Sequence, residues 1–172
     1  THDQEEALAL STRIAVMSFG EVVQEGKPRE IYENPRERFV AEFVGKSNLF
    51  SARVLSSRDG LIEMETDEGY KLHAVCPASL QTAAAVKKVL ISVRPEAIEL
   101  IGAKDEAPGR NRILGRIAAS AYQGSFVEYE IEAAGKAIKA NVINPKGKPL
   151  FQRGDEAAAV FLPEDVGVIA AE

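Results

Sequence analysis

From Asn48 onward the chain offers no place for a long helix. Gly60, Gly69, Gly124, Gly135, Gly147 and Gly154 interrupt it, and apolar residues between them tend to recur at every second position. A glycine inside a helix costs about 1 kcal/mol against alanine. Between two alternating runs it instead supplies the positive φ that a tight hairpin needs. The runs predicted as strands are 49–55, 61–66, 70–75, 89–93, 97–101, 113–122, 126–131, 137–142, 157–161 and 166–169. One helical turn is expected over the alanine-rich patch from Pro77 to Ala85, and a polar connector over 102–112. Many short strands joined by glycine turns predict a mainly β unit, a small barrel or a pair of barrels.

The first 45 residues have a different grammar. Asp3 can cap a helix running to about residue 11, with Glu6 answering as a capping box and Arg13 following its C-terminal end. Strands are predicted over 14–18 and 21–25, turning at Phe19-Gly20. Pro28 suits the first position of a second helix, whose cap position holds Lys27, a residue with no short side-chain oxygen to offer. Pro35 stops that helix. Asn34 is expected to cap a third, with Pro35 at its first position and Glu37 three residues after the cap. Phe39, Val40, Phe43 and Val44 would share its apolar face, and Gly45 would end it in the left-handed region. Gly45 therefore marks the boundary between an α/β segment, 1–45, and a β unit, 46–172.

Composition narrows the chemistry. With 45% hydrophobic and 27% charged residues the chain can bury a core, yet no apolar run reaches the roughly 20 residues that span a bilayer. An acidic helix start, not a secretion signal, is read at the N-terminus. Cys76 is the single cysteine, so an intrachain disulfide is impossible, which fits a reducing compartment. A net charge of −5, no tryptophan and dispersed lysines and arginines disfavour a nucleic-acid groove with stacking aromatics. His73 has no cysteine or histidine at metal-ligand spacing, and Cys76 has no base partner for nucleophilic chemistry. Lys87-Lys88 and the pair Arg110 and Arg112 read as solvated basic clusters.

Two stretches carry a family resemblance. Thr1-His2-Asp3-Gln4-Glu5-Glu6-Ala7, continuing through Ser18-Phe19-Gly20, Gly26-Lys27-Pro28-Arg29-Glu30-Ile31-Tyr32 and Arg38-Phe39-Val40-Ala41-Glu42-Phe43-Val44-Gly45, resembles the last part of the nucleotide-binding subunit of bacterial ABC importers. It starts at that family's switch-histidine loop. Ser92-Val93-Arg94-Pro95-Glu96 resembles the Arg-Pro-Glu turn of the transport-associated OB (TOBE) domain that follows the ATPase domain there. Gly115-Arg116-Ile117, Tyr122-Gln123-Gly124, Gly154-Asp155 and Phe161-Leu162-Pro163-Glu164-Asp165-Val166 fit the same domain type, in the same order. Gln123-Gly124 departs slightly from the Leu-Gly or Ile-Gly common in the family. The pattern of the later half is most similar to the polyamine branch, spermidine or putrescine.

The resemblance implies an OB-like β unit behind a remnant of the ATPase domain. It implies that His2 would be the switch histidine that reaches the γ-phosphate, with ATP and Mg²⁺ held in the intact subunit. It also implies a homodimer, permease partners, and a cytoplasmic position on the inner face of the plasma membrane. No Gly-x-x-x-x-Gly-Lys-Ser/Thr loop, Asp-Glu strand end or signature segment occurs, so the chain is expected to be a fragment cut inside the catalytic domain, with no hydrolysis of its own. Its N-terminal strands are then expected to rearrange, swap or dimerise. Two readings stand for Arg94 and Glu96: a solvated pair beside a proline-fixed turn, or a contact with a partner subunit or regulatory ligand. Other readings are a small-oxyanion sensor, binding through backbone amides in turns, and an independent nucleic-acid-binding OB module.

Overall fold

The computed structural model describes residues 3–77 and 88–170. The alanine-rich patch is therefore outside the described residues beyond Pro77, as are His2 and Lys87. The α/β segment comprises α1 (Gln4–Leu10), the hairpin β1 (Ile14–Ser18) and β2 (Glu21–Gly26), α2 (Pro28–Glu33) and α3 (Arg38–Phe43). Asp3 caps α1 as expected, accepting a hydrogen bond from the Glu6 amide at 3.0 Å. Phe19 and Gly20 both hold positive φ, the geometry of a two-residue hairpin turn. Val16, Ile31, Val40 and Val44 form a small core, with Leu8, Ile14, Val23 and Tyr32 packed against it.

Two expectations for α3 are corrected. Asn34 is the C-cap of α2, its amide bonded to the Glu30 carbonyl, and α3 begins only at Arg38 with no side-chain cap. The buried Gln24 side chain satisfies the corner instead. It donates to the Asn34 carbonyl at 3.1 Å and accepts from the Arg36 amide at 2.8 Å. Such a doubly used amide can replace a cap. The apolar face also divides. Val40 and Val44 are buried, while Phe39 and Phe43 stack on each other near the surface, ring centroids 5.4 Å apart.

Ten further strands follow: β3 (Asn48–Arg58), β4 (Leu61–Thr66), β5 (Lys71–Val75), β6 (Lys88–Val93), β7 (Glu99–Gly102), β8 (Asn111–Tyr122), β9 (Phe126–Ala133), β10 (Lys136–Ile143), β11 (Glu156–Phe161) and β12 (Val166–Ala170). They form two sheets of five, ordered β12-β6-β3-β4-β5 and β7-β11-β8-β9-β10. The orders are the same once the halves are superposed in sequence, except for an exchange. β7 leaves the first half to pair with β11, and β12 returns from the second half to pair with β6. The register shifts between Val54 and Ser56 in one half and between Ile117 and Ala119 in the other, at matching distances from Asn48 and Asn111. Short 3-10 turns, Pro95–Ala97 and Pro163–Asp165, lead into the two exchanged strands.

A single core joins the sheets. Phe50, Ile62, Leu72 and Ile91 from one side and Ile113, Tyr129, Ile131 and Ile138 from the other belong to one buried cluster. Burying a side chain of this size stabilises by roughly 1.5–3 kcal/mol. Gly115 lets β8 pass close to β9, since a Cβ there would lie 2.5 Å from Ile131 Cγ2 and 2.7 Å from the Glu132 carbonyl oxygen. The architecture is mainly β and OB-like, as the glycine spacing predicts. No helix among the described residues is long and apolar enough to cross a membrane.

Candidate functional site: the junction around Arg94

The Pro95 turn aims Arg94 away from its own sheet and into the α/β segment. Strand β6 ends at Val93, which is buried, and Pro95 starts the 3-10 turn, so the backbone at Arg94 stays extended between them. Its guanidinium lies over the Tyr32 ring, 4.0 Å from the centroid. Nη2 donates to the Tyr32 carbonyl at 2.7 Å and Nη1 to the Lys46 carbonyl at 3.3 Å. The Tyr32 hydroxyl donates to Glu96 Oε1. One arginine thus bonds the carbonyl of α2 and the carbonyl just beyond Gly45, while its ring contact shields the charge.

Burial lowers the Arg94 pKa, opposed by Tyr32 and Glu96. Burial, reinforced by Glu96, pushes the Tyr32 phenol up to about 12. Gly45 is packed into the same place. Its φ is +79°, and a Cβ would stand 2.9 Å from Tyr32 Cε2 and 3.2 Å from Arg94 Nη1. Its amide donates to Gln4 Oε1 at 3.1 Å.

The sequence singled out Arg94 and Glu96, and the structure brings both to this junction. They do not form the simple pair across the turn that one reading expected. Glu96 reaches Arg94 through Tyr32, and Arg94 spends its hydrogen bonds on carbonyls. Tyr32 and Gln4 were not singled out, because neither spacing nor residue type distinguishes a surface tyrosine or glutamine from a bridging one. His2 lies two positions before Gln4 in sequence and outside the described residues. Cys76 is buried with Sγ 3.7 Å from Ser57 Oγ. The exposed His73 is used through its backbone, gripped by the Asn111 side chain. No group of three or more potential ligands for a metal ion occurs among the described residues.

Of the other concavities among the described residues, two hold more than one basic side chain. A groove of about 780 Å³ runs between the start of α3 and the first sheet, with Arg36, Arg38, Arg53 and Lys88 among its lining. Arg38 and Arg53 are already paired with Glu42 and Glu65. The connector from Lys104 to Pro108 covers Arg112, which bonds the Ala103 carbonyl and whose buried Nε has no partner. Among the described residues Arg112 forms no ion pair.

Residues 91–169 match the TOBE domain family. The spermidine/putrescine import ATP-binding protein PotA of Pseudomonas fluorescens is 41% identical over 165 residues, covering 94% of this chain and 42% of that protein. The Fe(3+) ions import ATP-binding protein FbpC of Agrobacterium fabrum is 39% identical over 134 residues, 77% of this chain and 34% of that protein. The chain spans about two fifths of the length of the curated relatives it matches. Among solved structures, the cytoplasmic molybdate-binding protein ModG aligns with a TM-score of 0.62 over 70% of this chain and 94% of that one, at 23% identity. That likeness concerns the fold.

Proposed function

Residues 91–169 form a TOBE domain and the chain corresponds to the C-terminal portion of ABC-importer ATP-binding subunits; from that premise we propose that it serves the energising subunit of a polyamine importer as its trailing regulatory and coupling part. The observation that carries the reading is collinearity: 94% of the chain aligns with one polyamine-import subunit, across the α/β segment and both sheets. The physical design agrees. The β unit buries one continuous core and fastens to the α/β segment through Arg94, so motion of one part is passed to the other. ATP and Mg²⁺ are bound by the whole subunit, with His2 as its switch histidine. A neutral imidazole there donates to a phosphoryl oxygen and orients water. The working assembly is a homodimer on the inner face of the plasma membrane, against permease subunits.

Deletion of the gene in its own host, followed by uptake of radiolabelled spermidine and putrescine, tests the solute. Uptake should fall to background and return with the wild-type gene. Polyamine uptake unchanged by deletion would reject the polyamine assignment.

A second reading, a small-oxyanion site, rests on one observation, the orphaned buried Nε of Arg112 in a concavity lined by Lys104 and also by the carboxylates Asp105 and Glu106. It requires that molybdate raise the Tm and that Arg112→Ala abolish the rise.

A further inference from the structure

We propose that Arg94, Tyr32 and Glu96 form a latch across a hinge at Gly45. It is closed in this structure and opens by one exchange of partners, in which Arg94 leaves the carbonyls of Tyr32 and Lys46 for the carboxylate of Glu96. Its use in the importer rests on the coupling reading given above; its geometry does not.

In the closed state the guanidinium donates to one carbonyl before Gly45 in the chain, that of Tyr32, and to one after it, that of Lys46. Glu96 is occupied by the Tyr32 hydroxyl. Two opposite charges from one turn thus meet on a single ring, which keeps them apart, the cation over its face and the anion on its hydroxyl. The buried Pro95 fixes the backbone between them, so the exchange needs only side-chain rotation. Glu96 and the bond to the Lys46 carbonyl are both exposed, so water can take the place of what is released. An exposed arginine–glutamate pair is weak. Two hydrogen bonds from a charged donor and a ring contact outweigh it, which makes closed the major state and open a minor one within reach.

The hinge and the latch share one space. Gly45 sits at φ +79°, and the two groups that crowd it most closely are Tyr32 and Arg94. When they withdraw, the glycine is free to absorb a backbone change. What then holds the α/β segment to the β unit is modest. Ala41, Leu90 and Ile169, with Leu49 against them, form a small apolar cluster, and Lys46 pairs with Glu128 at 3.6 Å.

The test measures the distance between spin labels on Arg29→Cys in α2 and Glu130→Cys in β9, both exposed, in the 172-residue chain. Cys76→Ala removes its one native thiol. Electron–electron resonance should show one dominant distance. Arg94→Ala removes the latch, and Tyr32→Phe frees Glu96 to draw Arg94 away, so each should raise a second population about tenfold. Glu96→Gln should keep the dominant distance, because the amide oxygen still accepts from Tyr32 but carries no charge to attract the guanidinium. The decisive variant is Tyr32→Phe with Glu96→Gln, which should return to the wild-type distribution. A double variant as open as Tyr32→Phe would overturn the exchange of partners. So would unchanged distances in Arg94→Ala and Tyr32→Phe, or faster amide exchange between β8 and β9, which would mark unfolding in place of opening.

A second measurement addresses use. In the assembled importer, solute moved per ATP hydrolysed should fall in Arg94→Ala and Tyr32→Phe and recover in the double variant. Distances that respond while this ratio does not would uphold the latch and reject the coupling reading.

Discussion

At the scale of single residues, Arg94 and Tyr32 define each other's environment. Tyr32 is held protonated by burial and by its bond to Glu96, with its pKa pushed up to about 12 from an ordinary value of 10. The folded chain therefore binds this proton more tightly than the unfolded one. The stability it contributes is complete below pH 10 and is lost as pH rises through about 12. Thermal unfolding across pH 9–12 should show a steeper loss for the wild type than for Tyr32→Phe, and parallel curves would contradict the assignment. How much of this was legible follows from the chemistry. Pro95 fixes the backbone after Arg94, and an Arg-Pro-Glu turn stands out as a string, so two members of the junction were visible. Gly45 was visible as a helix terminator but not as a contact, because a glycine required by φ and one required by space look alike in sequence. Tyr32 and Gln4 make their bonds to residues far away in the chain, and no local pattern encodes them.

At the scale of elements, two asparagines act as strand extensions that join one sheet to the other. Asn48 donates to the Lys139 carbonyl at 2.8 Å and accepts from the Lys139 amide at 2.8 Å, joining β3 to the edge of β10. Asn111 does the same to His73 on β5, at 2.8 and 2.7 Å. Both are nearly fully buried, so water cannot replace them. Asn111→Ala strands a buried carbonyl and amide and should cost about 2–4 kcal/mol in chemical denaturation. A loss below about 0.5 kcal/mol would show the bonds to be incidental. The strand runs were found in their order because the two-residue period and the glycine turns are local signals, but Asn111 and Arg112, read as connector, open β8, and Ala97, read as strand, lies in the 3-10 turn. The start of α3 was misplaced because an Asn-Pro pair with a following glutamate mimics a cap, while the buried Gln24 from β2 took over the corner. The duplication is written in the paired Pro95-Glu96 and Pro163-Glu164 turns and in Asn48 and Asn111, but the halves share too few residues for a sequence reading to assign the exchange.

At the scale of the whole molecule, the exchanged strands make the two sheets one body and the Arg94 junction ties that body to the α/β segment. The Glu68–Lys136 bridge adds a further brace between sheets, with Lys136 Nζ 2.9 Å from Glu68 and 4.4 Å from the Phe50 ring centroid. Burial alone would raise the Glu68 pKa, but hydrogen bonds from Lys136, its own backbone and Thr66 outweigh it and hold the carboxyl below its usual range. Exposed apolar residues gather elsewhere, on the hairpin at Met17, Phe19 and Val22 and at Leu10. The most direct test is to tag the endogenous protein in its host, solubilise the membranes in mild detergent and identify what it carries through purification. The account predicts a stable complex with an integral-membrane permease, present in the membrane fraction of wild-type cells. Recovery of the protein solely from the soluble fraction, with no membrane subunit attached under any growth condition that induces it, would contradict the importer assignment.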